Sequence, residues 1–200
     1  MRLLLGVLLA GALCAEPGFK SLFDGKTLKG WDGDPQLWKV ENGLIVGSTD
    51  GVEIKDNQFL ISKKNYSDFI VRFEVKLRNG NSGMQFRSEH IGNWVVKGLQ
   101  ADMAEGNWWG SIYDEKGKRG VIVNGWKGKA ETVVKKDDWN SYEIFAQGDQ
   151  IRITVNGLVT SELKDIPGGR RDGILALQVH RGPGMRVEFR NLRIRELKKK

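Results

Sequence analysis

Phe69-Ile70-Val71-Arg72-Phe73-Glu74-Val75-Lys76-Leu77 decides the class of fold. Phe69, Val71, Phe73, Val75 and Leu77 share one parity, and Arg72, Glu74 and Lys76 share the other. A period of two sends successive side chains to opposite faces, so this is a strand with one buried face. Ile151-Arg152-Ile153-Thr154-Val155 repeats the pattern and runs into Asn156-Gly157, a hairpin signal, before Leu158-Val159. Residues 185–190 and 192–195 alternate too, and Trp38-Lys39-Val40 and Leu44-Ile45-Val46 flank a short turn at Glu41-Asn42-Gly43. Further strands are expected at 59–62, 83–87, 94–103, 121–123, 140–146 and 173–180. No stretch of about 12 residues or more carries the 3.6 period of a helix. Short helical turns are expected near Ser21–Phe23 and after Lys63, and the longest loops at 102–120 and 127–138. Many short strands separated by glycine-rich turns give an all-β fold of the sandwich or barrel kind.

Composition narrows the class further. Glycine is 26 of 200 residues, nearly twice the usual share of about 7%, and shows no triplet period. With 4 prolines and 28% charged residues the chain is neither disordered nor low in complexity. The net charge is +7, but the cations are interspersed with acids apart from Lys198-Lys199-Lys200. Nucleic acid is therefore not an expected partner. Residues 3–13 form an apolar run after Met1-Arg2, too short to span a bilayer, followed by small residues and Glu16-Pro17-Gly18. Residues 1–15 read as a signal peptide ahead of a domain over 16–200, which makes the protein secreted or periplasmic. Leu13 before Cys14 disfavours a lipoprotein anchor. Removal of the leader takes away the single cysteine, and with it thiol chemistry and zinc-thiolate sites.

Three strands carry polar residues opposite their apolar set. Gln85 and Arg87 alternate with Met84 and Phe86; Gln100 and Asp102 with Leu99, Ala101 and Met103; Gln178 and His180 with Leu177 and Val179. Amides, a guanidinium, a carboxylate and an imidazole have directed hydrogen-bonding groups, unlike the Lys, Glu and Thr of an ordinary wet face. If these strands are neighbours, their outer face is a polar cleft in which Asp102 and His180 move protons. Otherwise it is a plain solvated sheet face. Glu105-Gly-Asn-Trp-Trp-Gly-Ser-Ile-Tyr-Asp-Glu115 places Trp108, Trp109 and Tyr113 beside Asp114 and Glu115. Aromatic rings there suit the apolar faces of sugars and flanking acids suit hydroxyls. No motif demands a cofactor. One divalent cation could sit between His180, Asp102 and one of Glu89, Glu105 or Asp114.

The order of segments resembles a known family. Residues 19–31, 38–47, 68–75, 81–87, 98–102, 110–115, 139–144, 177–180 and 187–194 follow, in order, the pattern of the 3-keto-disaccharide hydrolase domain family. The resemblance implies a concanavalin A-like jelly-roll sandwich of two antiparallel sheets, exported from a bacterium, with the concave face as the site. It also implies cleavage of glycosides oxidised to a ketone at C3, so an oligosaccharide or small glycoside is the partner. The matched residues that carry it are Arg87, Gln100, Asp102, Tyr113, Asp114 and His180. A C3 ketone acidifies C2–H, so the site needs a base, a stabiliser for the enolate oxygen and an acid for the leaving group. The expected assignment is Asp102 or His180 as base, Arg87 as stabiliser, and Tyr113 or Asp114 as acid. Gln85, Gln100, Gln178, Trp108, Trp109 and Glu105 would bind substrate. The alternative is a non-catalytic carbohydrate-binding module or lectin on the same fold.

Overall fold

The computed structural model describes residues 16–164 and 169–198; the expected signal peptide, residues 1–15, lies outside the described residues. In chain order the strands are β1 (Lys20–Ser21), β2 (Trp31–Asp32), β3 (Trp38–Glu41), β4 (Leu44–Ser48), β5 (Gln58–Tyr66), β6 (Phe69–Arg78), β7 (Asn81–Gly92) and β8 (Val95–Ala104). They continue with β9 (Ile112–Glu115), β10 (Gly120–Val123), β11 (Asn140–Gln147), β12 (Gln150–Val155), β13 (Leu158–Lys164), β14 (Gly173–Val179) and β15 (Arg186–Glu196). Two antiparallel sheets form a sandwich. One runs β13-β12-β11-β6-β15-β4-β3, with β1 added on β15; the other runs β10-β9-β8-β7-β14-β5-β2. Among the described residues no helix is long and apolar enough to cross a membrane.

The alternation on β6 does what its period requires. Phe69, Val71, Phe73, Val75 and Leu77 are buried in the main core. Across the sandwich they share that core with Leu60, Met84, Phe86, Leu99, Ala101, Met103, Leu175, Leu177 and Val179. On the outer side of β6, Arg72, Glu74 and Lys76 join ion pairs with Glu143, Arg190 and Glu188 on neighbouring strands. The β12–β13 turn falls where the sequence asks for it: Asn156 and Gly157 adopt φ of 48° and 83°, the left-handed region that Asn and Gly tolerate best.

Four expectations need correction. Ser21 lies in β1 and Lys63 inside β5, so neither begins a helical turn. Residues 102–120 are not one loop, since they include the end of β8 and all of β9. Residues 127–138, by contrast, do lie in the connection between β10 and β11, which holds only a short 3-10 helix, Ala130–Thr132.

The fourth is Arg87. Strict alternation would place it beside Gln85. Instead the β7–β8 register shifts between Phe86 and Glu89, and Arg87 takes φ 49°. A bulge of this kind re-aims the side chain. The guanidinium is buried at the end of the sandwich. It donates to Ser67 O at 3.0 Å, Gly148 O at 2.8 Å and Asp68 Oδ1 at 2.9 Å. Asp68 Oδ1 also accepts from Gly148 N at 3.1 Å. Arg87 thus leaves one sheet to clasp the β11–β12 turn of the other, and it is not a cleft residue. Arg87→Ala would break the buried Arg87–Asp68 pair, and breaking such a pair costs about 3–5 kcal/mol. Urea denaturation should show that loss; a drop below about 1 kcal/mol would mean that water reaches Asp68.

Candidate active site

The outer face of the seven-stranded sheet collects the polar residues that alternation sends there. Register pairs Gln85 with Gln100 and Gly83 with Asp102 across β7 and β8, and Gln100 with Tyr113 across β8 and β9. Gln178 arrives from β14 on the other side of β7. The amides form a chain. Ser88 Oγ donates to Gln85 Oε1 at 2.8 Å, and Gln85 Nε2 to Gln100 Oε1 at 2.7 Å. Gln100 Nε2 donates to Asp102 Oδ1 at 3.1 Å and Gln178 Oε1 at 3.4 Å, and Gln178 Nε2 to Glu115 Oε2 at 3.4 Å. Gly83 is required here: a Cβ would stand 2.5 Å from Gln100 Cδ.

A cavity of about 500 Å³ opens over this chain, lined by Asn57, Asn81, Gln100, Asp102, Trp108, Tyr113, Glu115, Lys116, Gln178, His180 and Arg181 among others. Asp102 forms part of its wall and is 4% exposed. Its main chain is fixed from behind by Tyr142, whose hydroxyl donates to Asp102 O at 2.8 Å and accepts from Gly110 N at 2.8 Å. Burial pushes the Asp102 carboxyl up to about 7; the Gln100 hydrogen bond opposes that rise and the Glu115 charge adds to it. Burial also raises Glu115, against a hydrogen bond from Asn57. Burial raises Tyr113, with the Glu115 and Asp102 charges adding to it. His180 is half-buried, with Nδ1 2.6 Å from Arg181 O. A carbonyl only accepts, so Nδ1 carries the proton and the lone pair of the neutral ring is on Nε2. Asn81 Oδ1 is buried and has no hydrogen-bond partner.

The structure brings Gln100, Asp102, Trp108, Tyr113, Gln178 and His180 to one cavity. Gln85 lies beneath it, fully buried, where it orients Gln100. Asp114 does not reach it. It pairs with Leu99 in register, a core-facing residue, and its Oδ2 accepts from Arg119 Nε at 2.9 Å. Trp109 is buried with its ring 6.0 Å from that of Tyr142, and with Glu105 it borders a different cavity. Among the described residues no three His, Cys, Asp or Glu side chains are placed to hold a metal ion. The expected cation set does not assemble, because Glu89 pairs with Arg170 and Glu105 and Asp114 lie elsewhere.

Glu115, read from the sequence only as one of two flanking acids, is the one that lines the cavity. The signal was present in Ile112-Tyr113-Asp114-Glu115: if Ile112 faces the core, period two sends Tyr113 and Glu115 to the cleft and Asp114 away from it. Asn81, Asn57, Lys116 and Arg181 come from turns and strand ends, where no period applies.

A family model for the 3-keto-alpha-glucoside-1,2-lyase-like domain matches residues 18–195. The chain belongs to that family. No curated protein matches it significantly in sequence. Among solved structures it is similar to a candidate glycosyl hydrolase from Parabacteroides distasonis, at 23% identity and a TM-score of 0.68, over 90% of this chain and 99% of that one. It is also similar to the carbohydrate-binding module CBM66 of Bacillus subtilis, at 16% identity and a TM-score of 0.62, over 84% and 96% of the two chains. The laminarinase catalytic domain of Thermotoga maritima matches at 11% identity and a TM-score of 0.58, over 84% and 92%. These likenesses bear out the jelly-roll sandwich.

The buried carboxyl has a consequence for stability. In the unfolded chain Asp102 titrates near 3.8 and in the folded one near 7. Between those values the folded state holds the extra proton, so stability falls as pH rises through this window and levels off above it. At about 1.4 kcal/mol per pH unit the loss is on the order of 4 kcal/mol. Denaturation of Asp102→Asn from pH 4 to 8 should show most of that slope removed; an unchanged slope would place its origin elsewhere.

Proposed function

We propose that this protein cleaves 3-keto-glycosides by removing the C2 proton and expelling the C1 substituent. The observation that carries this reading is Asp102, a carboxyl raised to about 7 by burial in the wall of a polar cavity. A base with that value is well placed for proton transfer at neutral pH. Ordinary retaining hydrolysis instead uses paired acids about 5–5.5 Å apart, one of them a nucleophile. A C3 ketone makes that unnecessary, because C2–H is then acidic enough for a single base.

The steps balance with residues of this chain and water. The Asp102 carboxylate takes the C2 proton, and the bonding pair becomes a C2=C3 enolate. The Tyr113 hydroxyl, kept protonated by its surroundings, donates to the enolate oxygen. The ketone re-forms as a C1=C2 bond is made and the C1–O bond breaks. The departing oxygen takes its proton from water in the open cavity, and Asp102 later returns the C2 proton to solvent. Water adding across C1=C2 converts elimination into net hydrolysis. Gln100 and Gln178 orient hydroxyls, and Asn81 Oδ1 accepts from one. His180 Nε2 offers a further acceptor at the rim. Arg87 and Asp114 take no part. A cleavable leader over residues 1–15 would deliver the protein to the periplasm or the medium.

Asp102→Asn keeps shape and removes the base, so turnover of a 3-keto-glucoside should fall about 10²–10⁴-fold. In the wild type kcat/KM should rise with pH to a plateau above about 7, because the base must be ionised. A folded Asp102→Asn protein with undiminished turnover, or a profile flat from pH 5 to 8, contradicts the assignment. Binding of the unoxidised glycoside with no turnover of the oxidised one would favour the lectin reading.

A further inference from the structure

A second cavity, about 620 Å³, adjoins the first on the same face of the sandwich. The two share Asp56 and Lys116 in their walls, and these residues form an ion pair of 2.8 Å between the segment before β5 and the β9–β10 turn. Beyond the pair the character of the face changes. Phe59, Ile61, Val96, Ile174 and Ala176 form an apolar cluster of their own, covered by Trp94.

Trp94 is held there against local preference. Gly92 pairs with Val95, so Asn93 and Trp94 are the two residues of the β7–β8 hairpin loop. Both have positive φ, 50° and 51°. A two-residue loop of this geometry favours Asn-Gly, and a bulky side chain at the second position is a conformational outlier. Outliers that persist in a well-packed frame cluster at ligand sites. The ring is fixed, not loose: Trp94 O accepts from Phe59 N at 3.0 Å and Trp94 Nε1 donates to Asp32 Oδ2 at 3.3 Å. It stands half-exposed in the wall of the cavity, with Asp34 and Gln58 as polar neighbours and Ile91 50% exposed.

We propose that this cavity is the leaving-group subsite of the same cleft, with Trp94 as its platform for a flat apolar face. The occupant is the C1 substituent of the glycoside, either a second sugar ring or an aryl group. The Asp56–Lys116 pair marks the boundary between the reacting ring and the group that departs. This subsite rests on the proposed lyase reading, since only a cleaved glycoside has a leaving group to hold.

The test compares ligands that differ only in that group: methyl, phenyl and glucosyl 3-keto-glucosides. Calorimetry in an Asp102→Asn background measures Kd without consuming them. The preference for a flat substituent over methyl should fall about 3- to 10-fold in Trp94→Gly, a change that suits the turn. Trp94→Leu, which still covers the apolar cluster, should show the same fall, and Trp94→Phe should restore part of the preference. If phenyl alone loses its advantage the occupant is an aryl group; if glucosyl does too, it is a second sugar. A preference unchanged in both Trp94→Gly and Trp94→Leu overturns the subsite, whatever the turnover. Wild-type protein that turns over no 3-keto-glucoside, yet shows the Trp94-dependent preference, overturns the lyase reading and leaves the subsite standing as a binding feature.

Discussion

A carboxyl group walled off from water is the constraint around which this site is arranged. The Asp102 carboxyl accepts hydrogen bonds from the Gln100 side chain and the Met103 backbone N–H, and beyond Gln100 a chain of amides ends at Glu115. Neutral donors soften the cost of burying the charge but do not cancel it, as a guanidinium would. The group is therefore left near 7, able to hold a proton or to take one. A cation within hydrogen-bonding distance would stabilise the fold and silence the base. The guanidinium that alternation expects on this face, Arg87, is turned by a bulge toward Asp68, where it joins the sheets. One bulge thus secures the sandwich and keeps the cleft free of a charge that would lower Asp102.

Burial of Asp102 depends on features far from it in sequence. Gly83 lacks the Cβ that would displace Gln100. Gln85 and Ser88 hold Gln100 from below, and Tyr142, from the opposite sheet, fixes the Asp102 carbonyl. Each contact is local and short, and together they leave the carboxyl few ways to turn toward solvent. Such pre-orientation is what proton abstraction from carbon requires, since the acceptor must meet the C–H bond with little rearrangement.

How much of this was legible beforehand follows from where period two holds. On β8 and β14 the alternation is unbroken around the site, so Gln100, Asp102 and Gln178 could be placed on one face from the sequence. It fails at Arg87 because a bulge resets parity, and a bulge has no sequence signature at that position. Asp114 and Glu115 were a different case. Parity counted from Ile112 separates them, and chemical type alone does not. Trp108 and Trp109 follow a strand end, where no period applies, and only coordinates show that one lines the cleft and the other fills the core. Trp94 was invisible for the opposite reason: its loop position favours glycine, so turn chemistry gave no hint of a ring there.

The account stands on Asp102 removing hydrogen from C2, and hydrogen exchange at that carbon tests it most directly. A 3-keto-1,5-anhydroglucitol has no exocyclic leaving group at C1, so in D2O its exchange reports proton abstraction without release of a C1 substituent. Both C2–H and C4–H flank the ketone. The expected result is rapid deuterium incorporation at C2 and not at C4, lost in Asp102→Asn. Exchange at both carbons alike, or at C2 with equal speed in Asp102→Asn, would contradict it.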